Sequence, residues 1–398
     1  MGPLSNITVV EITSEISGPM AGQLLADHGA NVIKVESITG DAQRYNGAMF
    51  AEAMGSVYLT LNRNKKSISV NLKTPEGKEI LKKLLIKADV LLHNMRVSAI
   101  DRLGFSYEHV KELNPSIIYC VITGYDQNGI YKDYPVYDDV MQADTGLVNI
   151  NSLNKEKPEY IPLVIADKIS GLYMSNSILA ALVNRNNTEI GQHIEVPMFE
   201  TTISFILTEH MSGLIRNPQE GPAIYSRIGP NGRRLWPTSD GYISMLPYST
   251  LHWNTLFAVG DKIKLGRELG VGDRLTRSQN ISKVYSAFAE ITATKSTIEW
   301  LDVCRKIDIP VAIVNAIDDL PNHPQLQSTS FFKELDDPYM GHIRYTNPTS
   351  KFSETTLSDS MLAPRLGQHT VEILNNIGYT DIEINLLKEY NIINISHI

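Results

Sequence analysis

Among the side chains able to do chemistry, Asp167 has the most suggestive surroundings. It follows the apolar run Ile161-Pro-Leu-Val-Ile-Ala166 and precedes Lys168 to Asn184, where Ile169, Leu172, Tyr173, Ile178 and Leu179 recur at helical spacing. That pattern predicts a helix starting at Asp167. Capping the helix is the commoner role for an aspartate placed there. A carboxylate at a helix N-terminus is also held as the anion by the dipole and by free N–H donors, and an ionised carboxylate can attack a thioester carbonyl. One side chain can fill both roles.

Other segments could hold an anion. Ser17-Gly-Pro-Met-Ala-Gly22 falls between a strand and a helix, and serves equally as a plain turn or as a phosphate site. It is not G-x-G-x-x-G, so a nicotinamide cofactor gains little support. Asn62-Arg-Asn-Lys-Lys-Ser67 and Lys73 form a basic cluster that suits either anion binding or, more commonly, a solvated face. Asn94, Met95 and Arg102 come just after a strand ending at Leu92, at the edge where open α/β sheets bind ligands. The histidines are scattered without H-E-x-x-H, which leaves a metal site unsupported, and G-x-S-x-G is absent. Cys120 and Cys304 sit in apolar surroundings and are expected to be buried free thiols.

Positioning these groups falls to alternating elements. Ile7 to Ile12 is β-rich, Ala21 to His28 has helical spacing and stops at Gly29, and Asn31 to Glu36 is a second strand. Thr74-Pro-Glu-Gly77 opens a helix carrying Ile80, Leu81, Leu84 and Leu85. Val90-Leu-Leu92 and Ile117 to Ile122 follow as strands, so the sheet should be mostly parallel. A long helix is expected from Met198 to His210. The Pro-, Gly- and Arg-rich stretch from 217 to 238 leads into a second domain with Trp253 and Trp300 in its core. After a break at Pro321 to Pro324 come short strands, loops and a helix near Thr370 to Ile377.

A chain of 398 residues is expected to form more than one domain. We place a large domain at 1–215, a small one with linkers at 216–325, and a segment returning to the large domain at 326–398. With 42% hydrophobic and 20% charged residues the chain should pack as a globular protein. A net charge of −8, without a Lys/Arg block, argues against nucleic acid as a partner. No run approaches the roughly 20 apolar residues of a membrane helix. Because Met1-Gly-Pro-Leu-Ser-Asn6 lacks the features of a leader, a cytoplasmic location is expected.

In order and spacing, eight segments resemble the class III CoA-transferases, which include formyl-CoA transferase and carnitine CoA-transferase and are related to α-methylacyl-CoA racemase. They are Gly18-Pro19, Gly29-Ala-Asn-Val-Ile-Lys-Val-Glu36, Asn62 to Ser67, Asn94-Met-Arg96, Arg102-Leu-Gly104, Tyr137-Asp-Asp-Val-Met-Gln-Ala143, Asp167 to Gly171, and Pro364-Arg-Leu-Gly-Gln-His-Thr370. The resemblance implies an α/β fold in which two chains interlock as a homodimer. Each chain would have a large Rossmann-like domain built from both chain ends and a smaller central α+β domain. It matches Asp167-Lys-Ile-Ser-Gly171 to the family's catalytic D-x-x-x-G, and implies an aspartyl mixed anhydride followed by an aspartyl-CoA thioester. Coenzyme A, as substrate rather than tightly bound cofactor, would lie across Ile16, Ser17, Val70, Leu72, Lys73, Asn94, Met95, Arg102 and Tyr137.

The related racemases carry a histidine where this chain has Tyr137, which favours transfer over racemisation. A 2-methylacyl-CoA racemase and a non-catalytic CoA-binding protein stay as alternatives. Formyl-CoA transferase has a glutamine at the Ile16 position, an arginine at the Ser37 position and a glycine-run loop without counterpart here, which makes oxalate a poor first guess. Arg227, Arg233 and Arg234 fall where that loop would lie. One of them could hold the distal carboxylate of a dicarboxylic acid, although surface arginines there are more often simply solvated.

Overall fold

Six parallel strands carry the site: β1 (Thr8–Ile12), β2 (Asn31–Glu36), β3 (Lys65–Val70), β4 (Val90–His93), β5 (Ile118–Thr123) and β6 (Gln192–Pro197). A two-residue strand, Ile393–Asn394, pairs antiparallel with β3, and across the sheet the order is Ile393–Asn394, β3, β2, β1, β4, β5, β6. This computed structural model describes residues 2–229, 232–355 and 360–396. Strands covered on both faces read as near-continuous apolar runs, which is why β4 and β5 are buried along their whole length.

One face of the sheet packs against the helix Pro75–Lys87 and the chain's end. Thr74 caps that helix by accepting the Gly77 N–H, Pro75 supplies its first turn, and Ile80, Leu81, Leu84 and Leu85 are buried. The same core takes in Ile373, Leu374, Ile384, Leu387 and Ile393 from residues 370–394. On the other face lie the helices Ser17–Asp27 and Ile165–Thr188, with Val9, Val32, Leu92, Ile118 and the free thiol of Cys120 beneath them. The architecture is a mostly parallel, Rossmann-like sheet.

The chain divides into two units, Met1–Thr208 with Thr329–Ile398, and Glu209–Ser328. The second unit has a three-stranded antiparallel sheet, Trp236–Thr238, Gly241–Met245 and Val311–Ile313, covered by helices. Trp236, Trp253, Trp300, Phe257 and Phe288 fill its core. The buried indoles of Trp236 and Trp300 donate to the carbonyls of Met245 and Thr292. Among the described residues no helix is long and apolar enough to cross a membrane.

The basic cluster at 62–67 is engaged in ion pairs, buried at Lys65 and partly exposed at Lys66. Arg63 pairs with Asp27, Lys65 with Glu11 at 2.9 Å, and Lys66 with Glu372 at 2.5 Å. Lys65 and Glu11 belong to a fully buried network in which Lys34 lies 3.1 Å from Glu11 and 2.9 Å from Asp41. Beside it Arg44 pairs with Glu36 at 2.7 Å. Each buried charge has an opposite partner, as burial at that depth demands. Removing one partner leaves its carboxylates uncompensated. Lys34→Met is therefore expected to destabilise the protein by about 3–5 kcal/mol in urea unfolding, and a change below about 1 kcal/mol would contradict a structural role for the network.

Candidate active site

In a doubly wound sheet the strand order reverses between β1 and β4, leaving a crevice beyond the carboxyl ends of those strands. A cavity of about 260 Å³ occupies that place. Its walls come from the β1 turn (Ser14, Glu15, Ser17), the β4 turn (Asn94 to Val97), the end of β5 and the loop through Lys132 to Tyr137, and Asp167 reaches into it from helix Ile165–Thr188. The β1 and β4 turns are tied together, since Asn94 accepts the Ser14 N–H at 3.1 Å and donates to the Ser14 carbonyl at 2.7 Å.

The helix bearing Asp167 begins two residues earlier than its sequence predicts, at Ile165, which puts Asp167 in the first turn and not at the cap. Asp138 does the capping, accepting the Asp167 N–H at 3.1 Å through Oδ1. Its Oδ2 accepts the Gln142 amide at 2.7 Å. Gln142, buried, also donates to the Leu163 carbonyl at 2.9 Å and accepts the Ile161 N–H at 2.9 Å. One buried amide thus fixes both the capping carboxylate and the segment leading into the helix.

The charge state of Asp167 also departs from expectation. Burial first, and the negative charge of Asp138 second, push its carboxyl up from 3.8 to about 7, with Glu15 acting in the same direction and a hydrogen bond from the Ser17 side chain opposing. Desolvation and a like charge outweigh the helix dipole, so the acid is poised between its two forms near neutral pH and is not held firmly as the anion. A partly desolvated carboxylate of raised proton affinity is a stronger nucleophile than one in water.

Gly171 explains the spacing of D-x-x-x-G. A Cβ there would stand 2.7 Å from the Ser17 carbonyl oxygen and 3.1 Å from the Met20 side chain. Only glycine lets the two helices approach closely enough for Ser17 to reach Asp167. Gly171→Ala is expected to cost about 1–3 kcal/mol by overpacking and to lower turnover by weakening the Ser17 contact, measured by urea unfolding and exchange assay on the same preparation. Wild-type stability in that variant would contradict the close approach.

Of the residues expected to contact coenzyme A, Ser17, Asn94, Met95 and Tyr137 line the cavity with Asp167, and Ile16 lies in the same turn without lining it. Val70, Leu72, Lys73 and Arg102 are not brought to it. Val70 is buried at the end of β3, Leu72 packs on the core, and Lys73 and Arg102 are exposed. Tyr137, 70% exposed, is the residue before helix Asp138–Asp144. Arg233 and Arg234 line a different cavity, in the second unit, and Arg227 is exposed outside it. Sequence reasoning missed Glu15, Asp138 and Gln142. The i,i+4 pair of Asp138 and Gln142 was a usable signal, whereas nothing in the sequence marks Glu15, whose backbone takes φ +66° and whose carboxylate accepts the Gln43 amide at 2.5 Å.

Comparison with known proteins gives a consistent picture. A family model described as CoA-transferase family III matches residues 4–370. A succinate–glutarate CoA-transferase of Agrobacterium fabrum is 30% identical over 393 residues, covering 94% of this chain and 95% of that protein. A formyl-CoA:oxalate CoA-transferase of Shigella sonnei is 28% identical, with 97% and 98% covered. Among solved structures, a CAIB/BAIF family protein from Brucella suis superposes with a TM-score of 0.82 at 27% identity, covering 94% of this chain and 99% of that one.

Proposed function

The chain belongs to CoA-transferase family III, and from that premise we propose that it moves coenzyme A from an acyl-CoA to a small carboxylic acid with Asp167 as covalent nucleophile. The Asp167 carboxylate attacks the thioester carbonyl and expels the CoA thiolate, leaving an acyl–aspartyl anhydride. The thiolate attacks the aspartyl carbonyl of that anhydride, releasing the donor acid and leaving an aspartyl-CoA thioester. The acceptor carboxylate attacks this thioester, and the same steps run in reverse to give the new acyl-CoA and free Asp167.

The observation that carries this reading is the placement of Asp167, a partly buried carboxylate facing a cavity at the strand-order reversal, with Ser17 lining the same cavity. Closing the cavity over bound substrate would keep water from the anhydride and the thioester. In this reading the exposed Lys73 and Arg102, with the backbone beside Leu72, meet the nucleotide end of CoA. Ile16, Ser17, Asn94, Met95 and Tyr137 lie toward its thiol end, and Val70, buried in the sheet, has no surface for it. The relatives named above couple CoA to succinate, glutarate, formyl and oxalate groups, which supports a small acid as acceptor. Ile16 and Ser37 speak against oxalate.

The interlocked homodimer is part of the same reading. Tyr160, Leu163, Leu172 and Tyr173 are each at least 38% exposed, and apolar side chains left in such numbers on one segment usually meet a partner.

Brief incubation with an acyl-CoA, a hydroxylamine quench and peptide mass analysis should find Asp167 converted to its hydroxamate. An unmodified Asp167 under turnover conditions would overturn the mechanism.

A further inference from the structure

In the cavity that holds Asp167, the buried lining differs from the exposed lining in charge. Its two cations, Arg96 and Lys132, and the acid Asp133 are exposed, whereas Ser17, Ile122, Thr123 and Met198 are each at most 7% exposed. The inner wall therefore carries no cation. Ile122 and Thr123 end β5, and the neighbouring β6 pairs Pro197 with Thr123 and runs directly into Met198. The Thr123 hydroxyl donates to Glu195 at 2.8 Å. That leaves Ile122 and Met198, side by side at two strand ends, as an apolar surface facing the space into which Asp167 reaches.

Charge around the reacting carboxyl points the same way. Asp138 and Glu15 both raise the proton affinity of Asp167, and the Ser17 contact that opposes them is uncharged. A second carboxylate on the substrate would meet negative charge there, and at the inner wall it would lose its water without gaining a partner. A hydrocarbon chain is favoured by the same transfer, and an unbranched methionine adapts to it. Size sets the length. A dry cavity of about 150 Å³ takes a molecule as large as benzene. This one, of about 260 Å³, must also hold the thiol end of CoA, which limits the chain to about four carbons.

We propose that the inner wall is an acyl subsite for a short, uncharged aliphatic chain, with Ile122 and Met198 setting its length. This rests on the transfer reaction proposed above and narrows it. Donor and acceptor acids are each joined to Asp167 in turn, so both pass through the one subsite, and monocarboxylic acids are used in preference to dicarboxylic ones.

The test reads Asp167 itself. Hydroxylamine displaces CoA from the aspartyl thioester and leaves a hydroxamate on Asp167. Full-length protein is given butyryl-, hexanoyl- or succinyl-CoA at equal concentration with hydroxylamine, and the initial rate of hydroxamate formation is followed by peptide mass. Butyryl-CoA should react at least about tenfold faster than succinyl-CoA, and faster than hexanoyl-CoA, given what a mismatched group costs in an apolar pocket. Ile122→Ala and Met198→Ala, which open space at the wall, should each raise the hexanoyl-to-butyryl ratio by about tenfold, and Met198→Leu should leave it nearly unchanged. A ratio taken within one preparation does not depend on the fraction folded, and the native comparison decides even where an alanine variant does not fold. The proposal is overturned if succinyl-CoA matches butyryl-CoA in the native protein, or if neither alanine variant moves the ratio. Hydroxamate on Asp167 from any donor keeps the aspartyl mechanism standing when the subsite fails, whereas its absence with every donor overturns both.

Discussion

Replacing Asp167 with alanine is expected to lower CoA exchange by on the order of 10⁴-fold or more, the scale on which enzymes lose turnover when a covalent nucleophile is deleted. The reaction runs through two acyl derivatives of this one carboxylate, and of the three acids lining the cavity, Glu15, Asp133 and Asp167, Asp133 is exposed on the loop at its mouth. Glu15 reaches the cavity from a backbone held at φ +66° with its carboxylate bonded to Gln43, and Asp138 is tied to the Asp167 N–H and to Gln142. Glu15 and Asp138 are thus both occupied by structure. Asp167→Asn separates the chemistry from packing, because it keeps the shape of the side chain and removes the anion, and it should be as inactive as the alanine variant. Affinity for CoA, measured by calorimetry, should change only a few-fold in either protein. Retention of more than a tenth of native turnover by Asp167→Asn would sink the covalent mechanism.

Local pattern and long-range contact divide what could be read in advance. The strands of the parallel sheet are legible because each is a short apolar run, and the helix Pro75–Lys87 because its cap and first proline are adjacent in sequence. Helix starts were misplaced where the determinant is distant. Ile165-Ala166 looks like the end of an apolar run, and the carboxylate that caps this helix comes from Asp138, 29 residues away. Ser17-Gly-Pro looks like a turn because Gly and Pro are poor helix formers, yet the helix begins at Ser17, packed against Gly171. The cluster at 62–67 looked solvated because its counter-charges lie on other elements, at Asp27, Glu11 and Glu372. The same limit applies to the charge on Asp167. The sequence places it near a helix dipole, and only the fold brings Asp138 and Glu15 close enough to reverse the effect.

That reversal has a measurable signature in pH. If only ionised Asp167 attacks, kcat/KM should rise with pH through about 7 and level off above it. At pH 5 about 1% of the carboxyl is ionised, and the rate should fall to roughly that fraction of its plateau. Asp138→Asn removes the neighbouring negative charge while keeping an oxygen to accept the Asp167 N–H, so the midpoint should move to lower pH even if the plateau drops. An unmoved midpoint would mean that Asp138 does not act on Asp167 electrostatically. Stability should run the opposite way to activity. The folded acid titrates above its unfolded value, so the fold favours the protonated form. Its contribution is complete below about pH 4 and is lost as pH rises through about 7. The interval from 3.8 to about 7 corresponds to on the order of 4 kcal/mol. Asp167→Asn, which cannot ionise, should therefore unfold at higher urea than the native protein at pH 8, with the difference closing toward pH 4. A carboxylate that the fold destabilises in the form needed for attack is the arrangement expected of a nucleophile, since a purely structural acid would be stabilised as the anion by its partners.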